Sequence, residues 1–292
     1  MRAVRYHGRG DIRVDQIDEP MCGDGEVKIR PAFVGICGSD IGEYVGGPRT
    51  VPTQPHAVTG ATLPVTLGHE FSGTVEAVGT GVSRVKVGDR VAIKPNLYDG
   101  SCASCLVGRV NSCQNLGFIG YSSNAGGLSD YVVVKEKHAI QLPDSIPLDI
   151  AALIEPLAVA WHAVKRSPIQ NANNETVLIV GGGPIGLAVI QVLKRLGLKT
   201  IVVTEVSQQR QAFAKALGAT QVLNPKTDDV VAKVRSMTND AGANIAFECS
   251  GIQAGLDSAV AGIRARGTVT IVSLWEEKPL IDAFDLCRMR SM

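Results

Sequence analysis

TVLIVGGGPIG, residues 176–186, is an apolar strand pattern that runs into a glycine-rich turn and the start of a helix. An apolar run of this kind is typical of a parallel strand that is buried on both faces. The glycines at 181, 183 and 186 satisfy the G-x-G-x-x-G pattern, which is weak evidence alone and stronger between a strand and a helix. The stretch predicts a strand–helix unit of an α/β domain.

The same alternation of strand and helix patterns continues through the second half of the chain. Strand patterns occupy TVLIVG (176–181), KTIVVTE (199–205), TQVLNP (220–225), NIAFECSG (244–251) and GTVTIVSL (267–274). Helix patterns occupy residues 151–166, 184–197, 207–219, 228–237 and 253–263. Repeated units of this kind predict a doubly wound parallel sheet with right-handed crossovers.

The first half of the chain is β-rich. Short β-branched runs at 26–36, 72–79 and 90–95 are separated by Gly, Pro and Asp, which predicts an all-β barrel or sandwich. Residues 47–64 hold four prolines and no periodicity, so we expect a long loop there. The change from a β-rich pattern to alternating strands and helices near residue 150 predicts two domains, residues 1–150 and 151–292.

The composition is that of an ordinary globular protein. Of the 292 residues 45% are hydrophobic, and the net charge of +1 offers no basic surface for nucleic acid or for an anionic membrane. The chain shows no apolar run long enough to span a membrane and no signal-peptide pattern. Its seven cysteines are odd in number and three lie within 102–113, so we expect reduced thiols, metal binding and a cytoplasmic location.

The glycine-rich turn predicts a dinucleotide site. Gly181 makes the tight turn, Gly183 lets the backbone approach a pyrophosphate, and Gly186 lets the helix pack on the strand. Glu205, at the end of the next strand, would accept hydrogen bonds from the adenosine ribose and repel a 2′-phosphate, which favours NAD over NADP. Arg210 favours NADP instead, because its guanidinium group could pair with a 2′-phosphate. The alternative is a plain glycine turn beside a solvated carboxylate. The candidate cofactor-binding residues are Gly181, Gly183, Pro184, Ile185, Gly186, Glu205 and Arg210.

Three separate features could hold a metal ion. Cys37 lies in GICGSD (35–40), His69 with Glu70 follows the long loop, and Glu155 begins a helix pattern. A thiolate, an imidazole and a carboxylate make a plausible tetrahedral zinc set with one open position, as a catalytic zinc requires. Each residue also has a structural interpretation, namely a small buried thiol, a satisfied core histidine and a carboxylate at a helix start.

A second metal signal is the cluster of Cys102, Cys105 and Cys113. Three thiols so close together can wrap one zinc ion, which then needs a fourth ligand. Asp99 stands three residues before Cys102, where a further cysteine would complete a four-cysteine site, and its carboxylate could take that place. The alternative is a reduced loop without metal.

Taken in order, these motifs resemble the zinc-dependent medium-chain alcohol/polyol dehydrogenases, in which a GroES-like domain precedes a Rossmann domain. The resemblance rests on GICGSD, LGHEFSGTVEAVG, VKVGDRVAI, the cysteine cluster, IEPLAVAWHAV and VLIVGGGPIG, and covers about residues 1–275. Within the family, the stretches around 47–73 and 94–122 look most like 2,3-butanediol dehydrogenases. Sorbitol, xylitol and threonine dehydrogenases are the neighbouring activities.

The resemblance implies site roles that spacing alone does not give. It assigns Cys37, His69 and Glu155 to the catalytic zinc, with Glu70 as a neighbouring carboxylate that joins or exchanges. Ser39 takes the place of the hydroxyl that contacts the substrate oxygen and passes its proton outward. Asp99, Cys102, Cys105 and Cys113 take the structural-zinc positions. Gly42 stands where some members have a relay histidine, so the proton must leave by water or another group.

The last stretch, WEEKPLIDAFDLCRMRSM (275–292), does not resemble the family's continuation. We therefore expect a Rossmann domain without its last strand, and with the usual subunit interface of these homo-oligomeric enzymes missing. The leading hypothesis is an NAD- and zinc-dependent dehydrogenase of secondary alcohols or diols. The alternatives are a catalytically impaired relative that binds NAD or metal, and a non-catalytic product.

Overall fold

A computed structural model describes residues 1–170 and 173–284, and divides the chain into two compact units, Met1–Glu155 and Pro156–Met292. Cys287 and the rest of the predicted tail from 285 onward lie outside the described residues. None of the described helices combines the length and apolar character that a membrane span needs.

The first unit is built mainly from antiparallel strands. They are β1 (Arg2–Gly8), β2 (Asp11–Gln16), β3 (Glu26–Gly35), β4 (Val65–Thr66), β5 (Glu70–Val78), β6 (Arg90–Ile93), β7 (Asn96–Leu97), β8 (Gly117–Phe118), β9 (Val132–Lys135) and β10 (Ala139–Gln141). The helices are α1 (Gly38–Gly46), α2 (Ala103–Leu106) and α3 (Leu148–Ala151), with 3₁₀ turns at Val110–Ser112 and Glu136–His138. No helix or strand occurs within 47–64, as the loop prediction requires.

Five of these strands form the main sheet of the unit, in the order β10-β6-β5-β3-β9. Alternate residues of β3 face inward, so Val27 and Ile29 are fully buried against Phe71 and Val75 of β5. Two smaller sheets, β2-β1-β4 and β7-β8, complete the unit. The pairing of β3 with β5 is the one that positions the site, because it brings the end of β3 beside the start of β5.

The second unit alternates strands and helices. Its elements are α4 (Ile154–Arg166, which begins in the last residues of the first unit), β11 (Thr176–Val180), α5 (Pro184–Arg195), β12 (Thr200–Thr204), α6 (Gln208–Ala216), β13 (Gln221–Leu223), α7 (Val230–Ser236), β14 (Ala243–Glu248), α8 (Gln253–Gly262) and β15 (Ile263–Ile271). All five strands are parallel, in the order β13-β12-β11-β14-β15. This is the strand order of a doubly wound nucleotide-binding sheet, so the predicted fold class is confirmed.

Two elements differ from the sequence prediction by more than a few terminal residues. The helix expected over 151–166 is broken, since α3 ends at Ala151 and α4 starts at Ile154. Pro156 explains the break, because it cannot donate to a carbonyl four residues earlier but is tolerated in a first helical turn. The strand expected from Gly267 starts earlier, at Ile263, with a register irregularity against β14 and a positive φ of 61° at Arg266.

Candidate active site

The first group of candidate metal ligands begins at Cys37, between the end of β3 and the start of α1. Cys37 is the N-cap residue of α1, with extended backbone (φ −86°, ψ 157°). Asp40, in the first turn of the helix, accepts the backbone N–H of Cys37 through Oδ2 at 2.8 Å. The buried carboxylate thus closes the helix end in the manner of a capping box and fixes the backbone that carries Cys37 and Ser39.

The second contribution comes from the start of β5. Gly68 has φ 97°, and a Cβ there would lie 2.7 Å from the backbone nitrogen of Leu128, so only glycine fits this turn. His69 follows, and Glu70 opens β5 opposite Gly35 of β3. Because Gly35 has no side chain, the Glu70 carboxylate occupies the space beside it. Both His69 and Glu70 are buried.

These two turns bring three potential ligands together. One ligand atom from each of Cys37, His69 and Glu70 lies within 4.8 Å of the other two. Nε2 of His69 lies 4.0 Å from Oε1 of Glu70, while Nδ1, which has no hydrogen-bond partner, lies 4.0 Å from Oδ1 of Asp40. A thiol, an imidazole and a carboxylate whose ligand atoms converge in this way are a donor set that fits a zinc ion.

Burial is the main cause of the pKa shifts in and beside this group of ligands. Burial raises the pKa of the Cys37 thiol to about 11 and lowers the pKa of His69. Burial also raises the pKa of Glu155 to about 7, and the charge of Glu70 adds to the effect. A cation among these groups would favour their deprotonated forms, which are the forms that bind metal.

Glu155 lies in the first turn of α4, half-buried, and is close enough to Glu70 to be affected by its charge. It is not among the three residues whose ligand atoms converge within 4.8 Å. The structure therefore places Glu70 in the group of converging ligands and Glu155 beside that group.

Three hydrogen-bonded side chains, those of Ser39, Asp40 and Tyr121, form a trio that lies against the cluster. The Tyr121 hydroxyl is 2.7 Å from Oγ of Ser39 and 2.9 Å from Oδ1 of Asp40. The ring of Tyr121 also packs on His69, with centroids 4.8 Å apart and planes tilted by 39°. Tyr121 and Asp40 thus connect Ser39 to both Cys37 and His69.

The second cluster lies in the loop between β7 and β8. Ligand atoms of Asp99, Cys102, Cys105 and Cys113 all lie within 4.8 Å of one another. Oδ1 of Asp99 accepts the backbone N–H groups of Ser101 (2.7 Å) and Cys102 (2.9 Å). Backbone N–H groups, that of Cys102 foremost, hold the pKa of Asp99 well below its usual range. An ionised carboxylate beside three thiols is a donor set that fits zinc.

In the second unit, the glycine-rich turn joins β11 to α5. Gly181 has φ 100°, and an ideal Cβ on Gly186 would overlap the Gly181 carbonyl oxygen. Gly183 is the N-cap of α5 and Pro184 follows within the first turn, which leaves free N–H groups at the positive end of the helix dipole. Ile185 packs against the core of the unit. The turn therefore has the geometry that a phosphate group needs.

Glu205 lies at the end of β12 and is buried, with 6% of its surface exposed. Its carboxylate accepts the backbone N–H of Gly182 at 2.9 Å and that of Ser207 at 2.8 Å. Arg210 is also near the turn, since an ideal Cβ on Gly183 would lie 4.0 Å from its Nη1. Both side chains that bear on the choice between NAD and NADP thus stand beside the turn.

The two units match two models of known protein families. Residues 23–144 match the alcohol dehydrogenase GroES-like domain, and residues 184–291 match the zinc-binding dehydrogenase model. An (R,R)-butanediol dehydrogenase of Bacillus subtilis (strain 168) is 42% identical over 98% of this chain and 81% of that protein. The chain belongs to the zinc-binding dehydrogenase family. Another (R,R)-butanediol dehydrogenase, from Neisseria gonorrhoeae, is 39% identical over 97% of this chain and 80% of that protein.

The fold of this zinc-binding dehydrogenase is also found in solved structures. The X-ray structure of 2R,3R-butanediol dehydrogenase from Bacillus subtilis is similar with a TM-score of 0.89 and 40% identity. The match covers 99% of this chain and 82% of that one. The predicted resemblance to butanediol dehydrogenases is therefore confirmed.

Sequence reasoning located most of the clustered side chains of this zinc-binding dehydrogenase and missed two. Asp40 and Tyr121 were not singled out, although both are buried in contact with the predicted residues. A signal for Asp40 was present, because it follows Cys37 at the spacing of a capping box. Nothing in the sequence marked Tyr121, since its partners lie about eighty positions away along the chain.

Proposed function

We propose that this zinc-binding dehydrogenase oxidises a secondary alcohol of the vicinal diol type to the hydroxyketone, with NAD as the hydride acceptor. In the 2,3-butanediol case, the diol and NAD⁺ give acetoin, NADH and a proton. The observation that carries the proposal is the convergence of Cys37, His69 and Glu70 within 4.8 Å. The similarity to two (R,R)-butanediol dehydrogenases, at 42% and 39% identity, supports the substrate class.

We assign Cys37, His69 and Glu155 to a catalytic zinc ion, with Glu70 as a carboxylate that joins or exchanges. A bound zinc ion would supply Lewis acidity toward the alcohol oxygen, and bound NAD would supply the hydride acceptor. Ser39, in the first turn of α1, contacts the substrate oxygen in this proposal. The burial of His69 and Glu70 keeps water from most of the cluster. Asp99, Cys102, Cys105 and Cys113 would hold a second, structural ion.

The second unit supplies the proposed cofactor site. The N-terminus of α5 offers backbone N–H groups and positive dipole to the pyrophosphate. Glu205 favours NAD, because its carboxylate is anchored by Gly182 and Ser207 and would repel a 2′-phosphate. In this proposal residues 1–150, together with Glu155 of α4, carry the metal chemistry, and the rest of 151–292 carries the cofactor site.

We also propose that the partner is a small diol and that the enzyme works in the cytoplasm. Six described cysteines are free thiols, and four of them belong to the two metal-ligand clusters. Reduced thiols of this kind are expected where the compartment is reducing.

The proposal is tested by following NADH production with 2,3-butanediol, sorbitol, xylitol and threonine as substrates. We expect butanediol to give the highest kcat/KM, and chelation to abolish turnover until zinc is restored. Cys37→Ala should lower kcat to below about 1% of the original value, since the ion loses a thiolate ligand. Cys22→Ala, at a thiol outside both clusters, is the matched control and should keep full activity. Normal turnover in Cys37→Ala would refute the assignment.

A further inference from the structure

We infer that Tyr121 is a positioning residue that fixes the Ser39 hydroxyl as a hydrogen-bond acceptor toward the hydroxyl group of the substrate. The inference rests on the proposed function, in which Ser39 is the side chain that meets the substrate oxygen. Tyr121 itself touches neither substrate nor metal in this scheme. It acts through Ser39.

The direction of the hydrogen bonds follows from counting protons. The Tyr121 hydroxyl has one proton and two neighbours, Oγ of Ser39 at 2.7 Å and Oδ1 of Asp40 at 2.9 Å. A carboxylate only accepts hydrogen bonds, whereas a serine hydroxyl both donates and accepts. The Tyr121 proton therefore goes to Asp40, and the Tyr121 oxygen accepts the proton of Ser39.

A second hydrogen bond fixes the orientation of the Asp40 carboxylate. Its other oxygen, Oδ2, accepts the backbone N–H of Cys37 at 2.8 Å, and the carboxylate lies in the first turn of α1, where the helix dipole favours negative charge. Asp40 is 4% exposed and Tyr121 is 3% exposed, so water does not compete for these bonds.

The segment that carries Tyr121 is itself well anchored. The backbone N–H of Tyr121 donates to the carbonyl of Phe118 at 3.1 Å, and Gly120 donates to Ala125 at 2.7 Å. The Thr59 hydroxyl, from the 47–64 loop, donates to the carbonyl of Ser122. The phenol is thus held in place before any substrate arrives.

The hydrogen bond to Tyr121 makes the Ser39 hydroxyl an acceptor toward the substrate. Because its only proton points to Tyr121, the lone pairs of its oxygen remain available to accept a hydrogen bond. The hydroxyl group of a diol can donate that bond, so the trio presents Ser39 in the form that the alcohol needs. Without Tyr121, the Ser39 hydroxyl would lose this acceptor, and its proton would turn to the neighbouring Cys37 sulfur.

The first test is a double-mutant cycle on diol oxidation. Tyr121→Phe removes the hydroxyl and keeps the ring against His69, and we expect kcat/KM to fall about tenfold. If Tyr121 acts through Ser39, then Tyr121→Phe has no further effect in a Ser39→Ala background. If Tyr121→Phe lowers kcat/KM by the same factor with and without Ser39→Ala, so that the two losses multiply, the inference is wrong. Tyr98→Phe, which removes a phenol hydroxyl elsewhere in the first unit, is the control and should leave kcat/KM unchanged.

The second test does not depend on turnover. In tyrosine-labelled protein, NMR detects the buried Tyr121 hydroxyl proton, assigned by its through-space contact to its own ring. We expect this resonance to keep nearly the same chemical shift in Ser39→Ala, because the proton is donated to Asp40 in both proteins. A large downfield shift in Ser39→Ala would mean that the proton moves from the Ser39 hydroxyl to the Asp40 carboxylate, so that Tyr121 donates to Ser39 in the unmutated protein, and the inference would be wrong.

The two tests also separate the inference from the proposed function. Absence of diol turnover in the unmutated enzyme refutes the proposed function, while the hydroxyl resonance still decides the hydrogen-bond direction. Diol turnover with multiplying losses in the cycle refutes the role of Tyr121 and leaves the proposed function standing.

Discussion

At the residue scale, Gly183 and Gly186 lie in the same turn but in different surroundings. An ideal Cβ on Gly186 would overlap the carbonyl oxygen of Gly181 and lie 3.3 Å from a methyl group of Ile179. On Gly183 the nearest atom would be Nη1 of Arg210 at 4.0 Å, and the backbone there has φ −73°, which any residue adopts. One glycine is thus required by packing, while the other leaves open space beside a helix N-terminus.

This difference predicts opposite outcomes for two alanine substitutions. Gly186→Ala should lower the free energy of unfolding by about 1–3 kcal/mol, because the added methyl overpacks the turn. Gly183→Ala should leave stability nearly unchanged but weaken NAD binding severalfold, because the methyl occupies the approach to the phosphates. Urea unfolding and calorimetric NAD titration measure the two effects. A stable Gly186→Ala with normal NAD affinity would contradict the role given to the turn.

The sequence identified residues whose chemistry is local and missed those whose role comes from tertiary contacts. Cys37, His69 and Glu70 were found because their side-chain types ligate metals. The sequence analysis gives Asp40 no role, and only the fold shows that Tyr121 reaches it. The sequence also could not separate Glu70 from Glu155, since the convergence of ligand atoms depends on the register of β3 against β5.

At the element scale, the loop between β7 and β8 is organised by its own polar groups. Cys102 is the N-cap of the short helix α2, and Asp99 accepts two backbone N–H bonds just before it. Cys113 is buried, and its sulfur accepts backbone N–H groups from Asp99 at 3.5 Å and Asn115 at 3.3 Å. These bonds hold the Cys113 sulfur in place beside the ligand atoms of Asp99, Cys102 and Cys105.

Cys113→Ser should therefore lower the bound zinc by one ion per chain and lower the melting temperature. The loop loses both a ligand and the ion that ties it together. Metal content measured by mass spectrometry, with Cys22→Ser as the matched thiol control, checks the result. An unchanged zinc content in Cys113→Ser would show that this cluster holds no ion.

The elements themselves were predicted well where the sequence pattern was long and regular. The five parallel strands and the helices between them follow from apolar runs that alternate with helical periodicity. The boundaries at Pro156 and Ile263 were missed because a helix break and a strand irregularity depend on neighbours in space. The order β13-β12-β11-β14-β15 is likewise a property of the assembled sheet.

At the scale of the whole molecule, the two kinds of chemistry belong to two units with separate cores. All candidate metal ligands lie in Met1–Glu155, and the glycine-rich turn with Glu205 lies in Pro156–Met292. The central claim is that the first unit holds a catalytic zinc ion between the end of β3 and the start of β5. The family match and the converging ligand atoms both support it.

Anomalous X-ray diffraction at the zinc absorption edge, from crystals of the full chain grown with zinc and NAD, tests this claim most directly. The account predicts a strong anomalous peak in contact with the Cys37 sulfur and a ring nitrogen of His69, with a Glu70 or Glu155 oxygen beside it. A zinc peak confined to the cysteine cluster, with none at Cys37 and His69, would contradict it.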